Sequence, residues 1–416
     1  MSVNNTENLT SQFPAEIVNL ANELALHSEI LPSGNTGLMQ KLNEARLANR
    51  PLRVKLGVDP TSSDLHLGHT VCLNKLKRFQ ELGHTVVLII GGFTAQIGDP
   101  SGRNATRPSL TVDKVNEYAK TYLDQVGLIL DLKKTEIVNN ADWLSDLSLN
   151  QIISLASKVT VNQLLAKEAF GDRLAKNEPL AFHELFYPLL QAYDSVAIKA
   201  DIELGGSDQR FNILQGRDLQ AKLGLNQQIA MLLPLIEGTC GKQKMSKTYD
   251  NYIGLKHSPN EMFSRTMRLN DALIIKYFEL TTSLSLKQIE KHKSFISRGG
   301  NPNEIKKLLA FELVKTYHGE ASANMALEEW NNVHSLKSVP SDIPQFQVSE
   351  AVTLSKLLVQ TGLAPSSSEA KRLINEGAVK FNSETIKDIN FKFDTSMGKD
   401  NENILQIGRR KFLKLV

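Results

Sequence analysis

The run His66-Leu67-Gly68-His69 and the run Lys244-Met245-Ser246-Lys247-Thr248 carry the residue types best suited to handling phosphate. Imidazoles three apart at the head of a helix can face one side and donate hydrogen bonds to phosphate or ribose oxygens. Gly68 between them lets a flat base approach the backbone. Two lysines on a glycine-bordered loop reach polyphosphate as point charges. Each pattern has a plainer alternative: histidines at a helix start also serve as cap or surface residues, and the lysines as a solvated basic turn. Tyr187, Gln191 and Asp194 share one helix face at spacings of four and three, either turned to water or lining a pocket. Asp99, Arg103 and Arg107 sit in or beside a turn-rich stretch, Gly98 to Arg103, that is also an ordinary turn by composition. Gly205-Gly206-Ser207-Asp208-Gln209 is a further small-residue turn carrying polar groups.

Elements able to position these groups are legible around them. Val54 to Val58 is an apolar run stopped by Asp59-Pro60, a strand whose proline cannot extend a ladder. From Leu67 to Leu82 the residues Val71, Leu76 and Phe79 recur at helical spacing, with Gly83 at the C-terminal cap position. Thr85 to Ile90 is an uninterrupted apolar run of the kind a parallel strand covered on both faces needs. Strand, helix and strand make a βαβ unit, whose ligand lies beyond the carboxyl end of the first strand, at a helix N-terminus. His66 and His69 fall there. Further on, the pattern predicts helices over 113–130, 150–167, 182–197 and 210–223, and strands over 136–138, 202–204 and 231–236. Asn140 follows the first of these strands. Residues 1–50 read as helical and then polar, with a turn at Pro32-Ser33-Gly34-Asn35.

At 416 residues the chain exceeds one core and predicts two or three domains. Apolar residues make up 41% and charged ones 22%, an ordinary globular balance with no run long enough to span a membrane. Met1 to Gln12 lacks signal-peptide character, which points to the cytoplasm. Cys72 and Cys240 are too few for a metal cluster of their own, and a disulfide is not expected in that compartment. The net charge of +3 is small, but residues 351–416 hold eleven Lys or Arg against seven Asp or Glu. That basic tail is the better place for nucleic acid to dock.

Taken together, the two runs, about 180 residues apart and each at a strand end, resemble the HIGH and KMSKS signatures of class I aminoacyl-tRNA synthetases. Within that class the chain resembles the bacterial tyrosyl-tRNA synthetase family, from about residue 30 onward. The resemblance implies ATP-dependent joining of L-tyrosine to tRNA(Tyr) through a tyrosyl-adenylate, with Mg²⁺ accompanying ATP and no tightly held protein metal. It implies that Asp99, Tyr187 and Gln191 hold the tyrosine ammonium, that Asp194 accepts the phenolic hydroxyl, and that Asn140 and Gln209 line the same pocket. Thr61 and His66 resemble the pair that stabilises the ATP phosphates, and His69 and Asp208 the ribose contacts. Gly68 and the run Lys244 to Thr248 complete the ATP site, with Arg103 and Arg107 working beside Lys244 and Lys247. One position departs: where many relatives carry a tyrosine that donates to the substrate hydroxyl, this chain has Lys55. A buried lysine must be paired or turned away, so Lys55 is left out of the binding set.

The fold expected is α/β: a Rossmann-like parallel-sheet catalytic domain with its N-terminal helical segment over 1–250, a helical anticodon-arm domain over 251–338, a linker over 339–350, and a small α+β S4-like RNA-binding domain over 351–416. Ser258-Pro259-Asn260-Glu261 and Asn301-Pro302-Asn303-Glu304 are helix starts. In the tail a helix begins at Ser366 and stops at Gly377, and Lys371, Arg372, Arg409 and Arg410 are the expected phosphate contacts. The family resemblance also implies a homodimer. Three alternatives stand beside it: a tryptophanyl-tRNA synthetase, which shares both signatures but not the S4-like tail; a small nucleotidyltransferase; and a catalytically inactive synthetase-like RNA-binding protein.

Overall fold

The computed structural model describes residues 12–100, 110–335, 343–348, 352–382, 384–393, 403–408 and 411–416. They fall in two compact units, Met1–Ala323 and Asn324–Val416. The first is built on a six-stranded sheet of β1 (Glu29–Leu31), β2 (Arg53–Val58), β3 (Thr85–Ile90), β4 (Thr135–Asn139), β5 (Ile202–Gly206) and β6 (Ile229–Leu233). Its order is β1-β6-β5-β2-β3-β4. The last five strands in that order run parallel, and β1 pairs antiparallel with β6. Val86, Val87 and Leu88 in β3 and Ala230 and Met231 in β6 have no exposed surface, as strands covered on both faces require.

The strand order marks a candidate ligand position. From β2 the chain proceeds outward to β3 and β4, then returns to the other side of β2 to lay down β5 and β6. Adjacent β2 and β5 are therefore the point where the strand order reverses, and in sheets of this kind ligands bind beyond the carboxyl ends of such strands. Asp59 follows β2 and Ser207-Asp208-Gln209 follows β5. The helix after β2 runs Leu67–Glu81, and Gly83 takes the left-handed conformation expected of its cap position (φ +81).

Several expected elements differ from those observed. The first fifty residues contain β1, only three residues long, with too little pattern to register as a strand. The helix expected to end at Leu130 ends at Val126, before Gly127. The single helix expected over 150–167 is two, Leu149–Ala156 and Val161–Leu165. Thr160 caps the second: its hydroxyl accepts the Gln163 N–H at 3.2 Å and its own N–H donates to Gln163 Oε1 at 3.0 Å. Residues Phe182–Phe186 form a 3₁₀ turn before the helix Tyr187–Ala197. The strand expected over 231–236 stops at Leu233 because Pro234 removes a ladder donor.

Helices Pro259–Met267, Ile274–Thr281, Leu286–Ser297 and Pro302–His318 belong to the first unit. Ser258 and Asn301 cap two of them as their sequence implies, accepting the N–H groups of Glu261 and Asn303. The second unit takes in most of the helix Glu320–Ser335 and two short helices, Leu354–Gln360 and Ser367–Asn375. Its five-stranded sheet contains β7 (Gln345–Phe346), β9 (Val379–Phe381), β10 (Glu384–Thr385), β12 (Asn403–Ile407) and β13 (Lys411–Leu415). A separate pair joins β8 (Val352–Thr353) to β11 (Lys392–Phe393). Leu357, Leu358, Ile374, Val379 and Leu405 fill the core between its helices and sheet. Most of the expected linker over 339–350 lies outside the described residues.

Candidate active site

His66 is the N-cap of the Leu67–Glu81 helix, and the two imidazoles are fixed by backbone donors. The Gly68 N–H donates to His66 Nδ1 at 3.1 Å, and the His66 N–H donates to His69 Nδ1 at 3.2 Å. Because each Nδ1 accepts, each neutral ring carries its proton on Nε2, where it serves as a donor. The ring centroids lie 4.0 Å apart. Burial, the neighbouring His69 and the charges of Lys247 and Lys244 push His66 well below the usual imidazole range. Burial and the same lysines bring His69 down to about 4. Both rings are neutral donors at physiological pH. A Cβ on residue 68 would lie 2.9 Å from the His66 ring, so glycine there is what lets the first imidazole keep its place.

The lysine loop is carried to the same place by backbone pairing. The Leu67 N–H donates to the Ile253 carbonyl and the Leu255 N–H to the Leu65 carbonyl, both at 3.0 Å, so the strand-like exit of the loop lies against the entry to the histidine helix. Met245, buried, anchors the loop through its N–H to the Ile236 carbonyl at 2.9 Å. Asn251, also buried, accepts the Ser246 N–H at 2.8 Å and donates to the Lys244 carbonyl at 3.2 Å. Gly238 leaves room for it: a Cβ there would lie 2.2 Å from Asn251 Cγ. The ammonium groups rest on carboxylates, Lys244 on Asp208 at 2.6 Å and Lys247 on Asp64 at 3.1 Å. Ser246 Oγ accepts the Thr248 N–H. Thr61, half-buried, lies between the end of β2 and the histidine helix.

A cluster of buried polar side chains gathers on and around the Tyr187–Ala197 helix. Tyr187 donates its hydroxyl to Asp59 Oδ2 at 2.7 Å; burial and the charges of Asp59 and Asp99 hold its phenol well above its usual range, hence protonated. Asp194 accepts from Trp143 Nε1 at 2.9 Å and from Asn140 Nδ2 at 3.3 Å. Burial drives its carboxyl up to about 7, against the Lys55 charge and these two bonds. Asn140 is itself held by the Phe93 N–H and donates to Thr94 Oγ1. Gln209 Nε2 donates to Asp99 Oδ2 at 2.6 Å, and Lys167 Nζ lies 3.5 Å from Asp99 Oδ1. The Gln191 side-chain NH₂ donates to Glu203 at 3.1 Å, while its side-chain oxygen Oε1 is buried without a partner.

Among the described residues of the first unit, those singled out by type and spacing thus fall into one neighbourhood at the strand-order reversal. Arg103, Arg107, Arg409 and Arg410 lie outside the described residues. Lys371 is exposed, and exposed Arg372 is ion-paired along its own helix with Glu369 at 2.7 Å and Glu376 at 3.0 Å. Lys55 is neither exposed nor unpaired: it meets Glu203 at 3.1 Å. Sequence reasoning gave no role to Asp59, Thr94, Trp143, Lys167 or Glu203. Asp59 had a signal, its place at the end of the first buried strand. The others come from elements remote in sequence.

Residues 47–335 match the family described as tRNA synthetases class I (W and Y), and residues 335–415 match the tyrosine–tRNA ligase SYY-like C-terminal domain. The tyrosine–tRNA ligase of Carboxydothermus hydrogenoformans is 47% identical over 396 residues, 94% of this chain and 95% of that protein. The chain belongs to the tyrosine–tRNA ligase family. The Thermotoga maritima tyrosine–tRNA ligase agrees, at 48% identity over 365 residues, 88% of this chain and 90% of that one. In fold, the family likeness extends to a truncated mitochondrial tyrosyl-tRNA synthetase of Aspergillus nidulans, with TM-score 0.63, 20% identity, and coverage of 76% of this chain and 94% of that one. Among the described residues no helix is long and apolar enough to cross a membrane, and no group of three or more His, Cys, Asp or Glu is placed to hold a metal.

Proposed function

We propose that this chain attaches L-tyrosine to tRNA(Tyr) in two steps, with the crevice beyond β2 and β5 as the catalytic site. In the first step a carboxylate oxygen of tyrosine attacks the α-phosphorus of ATP, the bond to the β-phosphate bridging oxygen breaks, and pyrophosphate leaves with that electron pair. In the second, a hydroxyl of the tRNA 3′-terminal adenosine attacks the mixed anhydride, gives up its proton, and AMP departs. No side chain becomes a nucleophile, because the substrate carboxylate is already anionic. The work is positioning and neutralising charge on the phosphates.

The observation that supports this reading is the backbone pairing of 65–67 with 253–255, which joins the entry of the histidine helix to the exit of the lysine loop. In this reading the Nε2–H groups of His66 and His69, the Thr61 hydroxyl, and Lys244 and Lys247 with Arg103 and Arg107 receive the triphosphate, and Asp208 the ribose. Gly68 and the Met245, Ser246 and Thr248 backbone shape the ATP site. Lys244 and Lys247 leave Asp208 and Asp64 for phosphate oxygens as charge accumulates there. Mg²⁺ arrives as part of the ATP substrate and shares those oxygens.

The neighbouring pocket takes the amino acid. Asp99, Tyr187, Gln191 and Gln209 receive the ammonium, while Asp194, steadied by Asn140 and Trp143, accepts the phenolic hydroxyl. A site built to pair a hydroxyl rejects an analogue without it because the buried acceptor is left unpaired; tyrosine against phenylalanine is the familiar instance of the rule. Residues 251–338 face the anticodon arm and 351–416 bind RNA phosphates through Lys371, Arg372, Arg409 and Arg410. The protein works as a cytoplasmic homodimer. Exposed Leu149, Ile153, Val161 and Phe182 favour a covered surface on the first unit.

Tyrosylation of tRNA(Tyr) by the full chain tests the reading. Deleting 345–416 is expected to weaken charging of tRNA while sparing pyrophosphate exchange; equal loss of both would give the tail a folding role instead.

A further inference from the structure

Lys55 and Glu203 stand opposite each other in the parallel pairing of β2 and β5, at 0% and 1% exposure. Lys55 Nζ donates to Ser195 Oγ at 2.7 Å and to the Gln191 backbone carbonyl at 3.2 Å, and it is ion-paired with Glu203 Oε1 at 3.1 Å. Glu203 in turn accepts from Gln191 Nε2 at 3.1 Å, Ser195 Oγ at 2.9 Å and Gln228 Nε2 at 2.6 Å. A carboxylate only accepts, so it must face the Gln191 side-chain NH₂, which leaves the side-chain oxygen Oε1 of Gln191 as the buried acceptor without a partner.

We propose that the buried Lys55–Glu203 pair is a positioning device for the amino-acid pocket, orienting the Gln191 amide so that its oxygen receives the substrate ammonium and holding a positive charge behind Asp194. The inference rests on the tyrosine-activating reading above. Lys55 and Glu203 are positioning residues, since each acts through the Tyr187–Ala197 helix rather than on substrate. The charged and titratable groups bearing on Asp194 are Lys55 from β2 and Glu203 from β5, joined on its own helix by Tyr187, which is bonded to Asp59. Of these only Lys55 brings a positive charge. It favours the ionised carboxylate that accepts a phenol, and so opposes the burial that favours the neutral acid.

The test is tyrosine-dependent ATP–pyrophosphate exchange with the full chain, read as KM for tyrosine and for ATP across pH. Lys55→Met/Glu203→Gln removes both charges together, so that no lone buried ion remains. It is expected to raise KM for tyrosine about tenfold at neutral pH and move the acid limb of kcat/KM for tyrosine alkaline by about one pH unit, with KM for ATP unchanged. Lys55→Arg keeps the charge and is expected to leave the limb in place. Ser195→Ala, which keeps both charges and removes only the hydroxyl between them, is expected to raise KM for tyrosine about threefold with an unmoved limb, and it serves should the double variant not fold. An unmoved limb in a folded double variant, KM for ATP rising in parallel with KM for tyrosine, or an unchanged KM in Ser195→Ala overturns the proposal. Absence of tyrosine-dependent exchange in the unaltered chain overturns the functional reading itself.

Discussion

The proposed phosphate end and the proposed amino-acid end of the site are held by different means. At the first, backbone N–H groups fix two neutral imidazoles, and partly exposed lysines rest on Asp208 and Asp64, carboxylates from which phosphate can displace them. At the second, Asp194, Asn140, Tyr187, Lys55 and Glu203 are buried, and each has a fixed polar partner: Asn140 for Asp194, Asp59 for Tyr187 and Glu203 for Lys55. Exposed ion pairs are worth little and exchange partners readily, whereas breaking a buried network leaves an uncompensated group. A site that must release pyrophosphate but discriminate by one hydroxyl has reason to be loose at one end and rigid at the other.

That contrast is sharpest at Asp194. Asp194→Ala is expected to abolish tyrosine activation, and exchange at unchanged efficiency would remove this carboxylate from the site. At the other end, Lys244→Ala or Lys247→Ala is expected to lower kcat about 10²- to 10³-fold while KM for tyrosine stays put; a rise confined to KM for tyrosine would erase the distinction between the two ends.

Stability against pH separates them in another way. Asp194 titrates in the folded chain at about 7 against a reference of 3.8, so its contribution to folding is fully present below 3.8 and lost as pH rises through 7. His69 is depressed from 6.5 to about 4, so its contribution is present above 6.5 and lost as pH falls through 4. Asp194→Asn should therefore melt higher than the parent above pH 7, by on the order of 2 kcal/mol, and lose that advantage in acid. His69→Asn should blunt the parent's loss of stability between 6.5 and 4. Melting curves with the same slope difference for both variants would contradict these environments. The smallest effect is expected at Trp143→Phe, which deletes one donor to Asp194 and should cost about 1 kcal/mol in tyrosine binding, read as a rise in KM for tyrosine alone.

The two ends also differed in how far they could be read from residues alone. The proposed phosphate end is the more legible in the sequence because its described parts are contiguous: His66 to His69 open one helix, Lys244 to Thr248 make one loop, and strand ends flank both, while Arg103 and Arg107 lie outside the described residues. The amino-acid end is assembled across the sheet, and only its helix face, Tyr187, Gln191 and Asp194, had a local period. Lys55 looked like an anomaly because its partner Glu203 is 148 residues away and meets it only through the parallel register of β2 and β5. Trp143 escaped for the same reason. Strand β3 was plain from its unbroken apolar run, while β1 was too short, and the break at Thr160 was hidden because Gln163 closes a capping box within an otherwise helical composition.

The most direct test of the account is ATP–pyrophosphate exchange by the full chain with each of the twenty amino acids in turn. Tyrosine alone should sustain exchange, since only a phenol meets the Asp194 acceptor next to the paired signatures. Exchange sustained by tryptophan instead, or by no amino acid at all, would contradict it.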